Sequence, residues 1–252
     1  EWIIYTDSSA NDSISLYPNI QKHLDQFSKV ITSVNKPYGL HRARKKESFE
    51  GEKILALRKC VDRPAFSYVN FDSFVSRAYL IIRTNRINQK YLTGLLNSTL
   101  IKYWLKYKGK MQGANFQIDK EPLLQIPIAV PAINVQELIA TIVDYVKMAS
   151  STKENLSELV SNETIALFFE KIIDGCVYEL YFGEHMKEQE INIIDSALEL
   201  IKPITHLSSD KEKADMILDV FMNIKKTDNS IRNRLDLFTL RSPEILKLII
   251  EG

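Results

Sequence analysis

Apolar residues recur every three to four positions over residues 13–34, where Leu16, Ile20, Leu24, Phe27 and Ile31 fall on one stripe. That period predicts a helix, and Pro18 sits where a first helical turn tolerates a missing N–H. Residues 36–53 are polar, basic and without a period, so they read as irregular chain. Four short runs then predict strands: Lys53–Arg58, Ala65–Val69, Phe74–Ser76 and Ala78–Ile82. Asn70–Ser73 reads as a turn, and Pro64 as a strand start or edge. The helical period returns over 88–107 through Leu92, Leu95, Leu96, Leu100, Ile101, Trp104 and Leu105, with Asn88 as N-cap. A glycine-containing loop, Lys108–Asn115, leads to Phe116–Ile118 and to the extended piece Ile126–Pro131, whose two prolines exclude a helix.

Beyond Pro131 the period is helical almost throughout. Val135, Leu138, Ile139, Ile142, Val143 and Val146 mark a strut over 134–148. Residues 149–162 are polar and read as a loop or a solvated helix. Thr164–Phe182 is an amphipathic helix with Gly183 as its natural end. Glu188–Ile201, stopped by Pro203, and Lys211–Ile224 are two further helices, and Ser242-Pro243-Glu244 opens a short last one. The expected fold class is α+β. A small, mostly antiparallel sheet with flanking helices occupies residues 1–130, and an all-helical region occupies 131–252.

Charge follows the same division. Residues 1–130 carry 20 Lys/Arg against 11 Asp/Glu, and residues 131–252 carry 13 against 21, although the net charge is only +1. Of the aromatic residues, 16 lie in the first part and 8 in the second. A basic, aromatic-rich half points to a polyanion as partner. Cys60 and Cys176 lie far apart, and His23, His41, His185 and His206 are scattered, so no metal site is expected. No apolar run is long enough to span a membrane and no signal peptide is seen, which makes a reducing cytoplasm the expectation. The chain opens at Glu1 without a Met, as expected of a piece of a longer protein.

Two basic stretches carry the candidate chemistry. In Lys106–Gln117, the lysines Lys106, Lys108 and Lys110 suit phosphate or guanine. Gln112, Asn115 and Gln117 offer amides that can give and accept one bond each at the adenine N6/N7 edge. Gly109 and Gly113 allow close backbone approach. A solvated surface loop is the equal alternative. The second stretch is His41, Arg42, Arg44, Lys45 and Lys46, with Arg58, Lys59 and Arg63 following. Backbone-phosphate contact is its functional reading, and a solvated charge run the blander one. Tyr5, Tyr38, Tyr68, Tyr79 and Trp104 are candidates for base stacking, although Tyr79 and Trp104 lie in core-like patterns. Asp174, Glu179 and Glu184 read as surface carboxylates. No nucleophile–base pair, Walker motif or dinucleotide loop occurs, so no catalytic residue is assigned.

Ordered segments then resemble one family. They are Tyr17–Phe27 (YPNIQKHLDQF), Tyr38–Arg44 (YGLHRAR), Lys53–Leu55 (KIL) and Pro64–Tyr68 (PAFSY), followed by Tyr91–Ser98 (YLTGLLNS), Gly113–Phe116 (GANF) and Leu124–Ile128 (LQIPI). Together they resemble the TaqI-like C-terminal specificity domain of type II adenine-N6 DNA methyltransferases and fused restriction–modification enzymes. They are also similar to recognition domains of type I specificity subunits. Ile173–Tyr181 (IDGCVYELY) is similar to the helix that follows such domains, but continues Phe182-Gly183 where the family has Gly-Leu. The amino-methyltransferase motif Asn/Asp-Pro-Pro-Tyr/Phe is absent. The resemblance implies a DNA recognition part whose N-terminal catalytic domain, with its S-adenosylmethionine, lies outside this chain. Its implied partners are double-stranded DNA and that methyltransferase domain. The remaining alternative is a helical interaction protein whose basic half binds RNA or an acidic protein.

Overall fold

The computed structural model describes all residues except 1, 2, 31–33, 41 and 42. The chain divides into two units, residues 1–51 with 71–76, and residues 52–70 with 77–252.

The first unit contains two short helices, α1 (Ala10–Ser13) and α2 (Pro18–Asp25), joined by a 3-10 turn at Ile14–Leu16. Of the helix expected over 13–34, the described residues form α2 at Pro18–Asp25, and residues 31–33, with Ile31 of the expected stripe, lie outside them. Phe74–Ser76, expected as a strand, is irregular. Instead the Phe74 ring packs against Tyr5 and Phe49, with centroids 4.9 and 4.7 Å away, so aromatic stacking orders this segment in place of a ladder. Tyr5 and Tyr38, candidates for base stacking, are engaged here: Tyr5 in that cluster, and Tyr38 through a hydroxyl donated to Asp25 at 2.8 Å.

The second unit carries two antiparallel three-stranded sheets. In the first, β1 (Lys53–Leu57) lies between β3 (Phe66–Val69) and β4 (Tyr79–Ile82). In the second, β6 (Asn115–Gln117) lies between β2 (Lys59–Val61) and β5 (Lys110–Gln112). Chain 108–115, expected as a loop, is thus largely a hairpin. Gly113 holds φ at +63° at the first of its two turn positions, as a tight hairpin connection demands.

The helix expected over 88–107 is two helices. Helix α3 (Gln89–Asn97) starts on Asn88, whose side chain accepts from the Lys90 and Tyr91 amides. Ser98 leaves the helical region at ψ 154° and caps α4 (Thr99–Lys108), its hydroxyl accepting from Ile101 N–H. A single turn, α5 (Lys120–Leu124), follows. Helices α6 (Ile133–Ser151) and α7 (Asn162–Glu188) are the longest and pack on each other and on α3. Helix α7 runs past Gly183, the expected end. Phe182 leaves helical geometry at φ −128°, ψ 32°, and the helix resumes. Helix α8 (Ile194–Leu200) is shorter than expected, and α9 (Asp210–Ile224) starts on a capping box between Ser209 and Glu212. Two short helices that the apolar pattern does not mark, α10 (Ser230–Asp236) and α11 (Phe238–Arg241), precede α12 (Leu246–Glu251). The last helix, expected to open at Ser242-Pro243-Glu244, starts after a turn at 243–245 with Ile245 at its N-cap, and the Ser242 hydroxyl accepts from Leu246 N–H at 3.2 Å across that turn.

The architecture is α+β, as the periodicity implies. Residue 131 marks a change of charge and of element type, but the core of the second unit runs across it. Ile54, Tyr91, Leu95, Ile139, Phe169 and Val177 are all fully or nearly fully buried in one cluster. Gly94 lets α3 approach α6 closely, since a Cβ there would stand 2.8 Å from Ile139 Cγ2 and 3.0 Å from Val143 Cγ2. Both neighbours are β-branched and stiff, so overpacking outweighs the gain of about 1 kcal/mol from removing a helical glycine. Gly94→Val should destabilise the protein by about 1–3 kcal/mol in urea denaturation.

Candidate nucleic-acid interface

The second sheet of the larger unit gathers most of the basic-loop candidates on one face. Alternation in three short strands sends one residue of each inward: Cys60 of β2, Phe116 of β6 and Met111 of β5, of which Cys60 and Phe116 are buried. The register pairs Cys60 with Phe116 and Met111 with Phe116. The outward positions then align in two rows across the strands. One row is Lys59, Gln117 and Lys110; the other is Val61, Asn115 and Gln112. All six are exposed except Gln117, which is half-buried. Five of them are candidates on residue type alone. Val61 is not, because a three-residue strand is too short to declare its alternation.

Hydrogen bonds stiffen this face. The Gln112 amide donates to Gln117 Oε1 at 2.8 Å, and the Gln117 amide donates to Asp119 Oδ2 at 2.9 Å. Asp119 Oδ1 accepts from the Arg58 guanidinium at 2.9 Å. The Arg58 guanidinium, followed by the Gln117 amide, holds the Asp119 carboxyl below its ordinary pKa, so the chain persists as an ionised relay at neutral pH. Arg58 and Gln117 are thereby used to orient the face. Gln112 and Asn115 flank the Gly113–Ala114 turn at the tip of the hairpin.

The remaining candidates separate. Lys108 is exposed in the last turn of α4, where a cation also complements the helix C-terminus. Lys106 donates to the Gly252 carbonyl. Arg63 makes a two-pronged ion pair with Glu170 of α7, at 2.7 and 3.3 Å, and that hydrogen bonding raises its pKa further. It fixes the turn after β2 to the helical core. Arg44, Lys45 and Lys46 belong to the first unit. Lys45 and Lys46 are exposed, and Arg44 reaches the Ser76 carbonyl at 3.4 Å. His41 and Arg42 lie outside the described residues. Among the described residues, no group of three His, Cys, Asp or Glu side chains could hold a metal ion, and no helix is long and apolar enough to cross a membrane.

Two carboxylates expected at the surface have structural roles instead. Asp174 accepts from both the amide and the hydroxyl of Thr99, at 2.7 and 2.5 Å, at the start of α4. Glu179 accepts from the amides of Ile193 and Ile194 at the start of α8. Both satisfy N–H groups that a helix leaves unpaired, where negative charge is favoured.

Residues 14–128 match the TaqI-like C-terminal specificity domain and belong to that family. The class that this match defines is a specificity domain. The chain is also 30% identical over 179 residues to a protein of Methanocaldococcus jannaschii whose name describes it as a type II restriction enzyme and methyltransferase. That match covers 68% of this chain and 14% of the relative, so the chain spans about one seventh of the protein it resembles.

Burial drives the Asp174 carboxyl up to about 6, against the downward pull of the two Thr99 bonds. A folded-state value above the unfolded one means the folded protein binds the extra proton between them. The contribution of Asp174 to stability is therefore present at low pH and declines as pH rises from about 4 to about 6. Asp174→Asn keeps an acceptor for the Thr99 amide and removes this titration. Relative to the variant, the parent should lose melting temperature across that interval and hold a constant offset above pH 7.

Proposed function

We propose that this chain is the DNA-recognition part of a type II (IIG-like) restriction–modification enzyme or adenine-N6 methyltransferase. One observation carries the reading. The register of β2, β6 and β5 puts Lys59, Lys110, Gln112, Asn115 and Gln117 on a single outward face, with Phe116 and Cys60 buried behind it. The β5–β6 hairpin is a two-stranded ribbon, an element that the major groove of B-DNA admits. Its tip offers the Gln112 and Asn115 amides to base edges. Lys59, Lys108 and Lys110 supply the phosphate attraction, which positions without specifying. Lys45 and Lys46 add positive charge on the first unit.

In this reading the catalytic domain belongs to the longer protein and brings the S-adenosylmethionine that donates the methyl group. A domain that acts on adenine N6 must take the base out of the stack, and the recognition part must hold the duplex while it does so. The acidic helices of residues 131–252 serve as spacer and docking element, their charge keeping them from competing for DNA. The functional division at residue 131 is then one of surface charge laid over a shared core.

The test is binding of the full chain to duplex DNA across a salt series, with single-stranded RNA as competitor. Replacing Lys59, Lys108 and Lys110 together with Ala should weaken binding to every duplex and flatten the slope of log K against log salt by about 0.9 for each phosphate no longer neutralised. Gln112→Ala or Asn115→Ala should instead cost about 1–3 kcal/mol on the preferred sequence and little on others. Preference for RNA over duplex would favour the interaction-protein alternative.

A further inference from the structure

The row Val61, Asn115 and Gln112 holds an apolar side chain in register with two amides on an otherwise polar face. Val61 is 69% exposed, although its β-branched side chain is of the kind that sheets normally bury. Its position is fixed. Asp62 turns the chain at φ +63°, Arg63 N–H donates back to the Val61 carbonyl at 2.7 Å, and the Arg63–Glu170 ion pair ties the turn to α7. Val61 therefore stands level with the hairpin tip, one strand away from Asn115 on β6. Strand spacing of about 4.8 Å separates such neighbours, slightly more than the rise of about 3.4 Å between stacked bases. An apolar contact and an amide at that spacing reach the same base pair or adjacent ones.

The chemistry of that pair of groups is specific. In the major groove an amide makes a two-bond contact with adenine N6 and N7, while the feature that marks thymine is its C5-methyl group, which an apolar side chain contacts. We propose that Val61 is a specificity-determining residue that meets a thymine methyl, in a site where Asn115 or Gln112 reads adenine. The inference rests on the DNA-recognition reading and deepens it: the substrate class is a duplex site containing at least one A·T pair read from the major groove by this row. The second row, Lys59, Gln117 and Lys110, carries cations at its two ends and offers no apolar group, so of the two strand rows methyl readout falls to the one that holds Val61.

The experiment selects preferred duplexes for the full chain from a random-sequence library. Each preferred duplex is then resynthesised with deoxyuridine in place of thymidine, one position at a time, which removes only the C5-methyl. The expected result is an A·T-containing consensus with one position where uracil weakens binding about fourfold, the effect of burying one methyl group. Val61→Ala should bind the thymine and uracil versions of that duplex alike. Lys110→Ala should weaken both and preserve their ratio. Val61 is exposed, so its replacement should leave the melting temperature unchanged. The inference is overturned if the parent chain binds thymine and uracil duplexes alike at every position, if Val61→Ala keeps the parent's ratio, or if the consensus lacks an A·T pair. In those cases salt-dependent duplex binding survives and the broader reading stands. Failure to bind any duplex overturns both.

Discussion

The pleat of one small sheet sets the direction of Lys59, Lys110, Gln112, Asn115 and Gln117 in the proposed interface. Phe116 is nearly inaccessible in the centre of β6, and Cys60 and Met111 sit opposite it in register on the two flanking strands. A slip of one residue would bury Asn115 or Gln117 and expose Phe116, a change that unpaired amides and reduced apolar burial both oppose. The inward residue therefore locks the register, and the outward rows follow without any further device. Polar groups that would otherwise wander on an exposed hairpin are held by the Gln112–Gln117–Asp119–Arg58 chain. Gln112 and Gln117 are thus held before any ligand arrives, which lowers the ordering cost of the proposed binding.

The segments that make this chain resemble its family are mostly those that hold it together. Asn97, in the Leu-Leu-Asn-Ser stretch, bonds both the amide and the carbonyl of Phe66 in Pro-Ala-Phe-Ser-Tyr, at 3.1 and 2.7 Å. Asp174, in the Ile-Asp segment of α7, caps α4 at Thr99, one residue beyond the same Leu-Leu-Asn-Ser stretch. Tyr181 closes that segment and bonds the backbone of Pro127 and Ala129 in the extended proline-containing piece, which Tyr91 also engages through the Ala129 carbonyl at 2.7 Å. Each bond joins a family-like segment to another, or to the residue directly after another, across the fold.

Only some of these features are legible in the sequence. Long amphipathic helices such as α6 and α9 announce themselves, because their stripes extend over several turns. The break at Ser98 does not, since the apolar stripe runs straight through it and α3 is separated from α4 by the Asn97 bond to Phe66, the Ser98 cap and the Asp174 bonds to Thr99. Strands β2, β5 and β6 have three residues each, below the length at which alternation can be told from chance. In sequence the hairpin is therefore a basic loop with the right chemistry, and its geometry comes only from pairing with β2 across more than fifty residues. The same non-local pairing places Val61, which no local pattern marks. Charge is legible as a total, but its use is not: Arg58 and Arg63, counted among the cations available to a polyanion, are held by Asp119 and Glu170.

The helical region belongs physically with the specificity domain, not as an appendage to it. The family match ends at residue 128, yet a 179-residue match to the archaeal relative cannot fit within the first 128 residues and so extends into the helices. The structure supplies the reason. Helix α3 packs on α6 through Gly94, Lys90 pairs with Asp144 of α6 at 2.7 Å with both side chains largely buried, and Arg63 pairs with Glu170 of α7. Removing α6 and α7 would leave Lys90 without its carboxylate and expose the apolar face of α3, which an isolated small sheet could not offset. The turn that presents Val61 and the sheet that presents the amides are therefore braced by residues whose sequence carries the opposite charge.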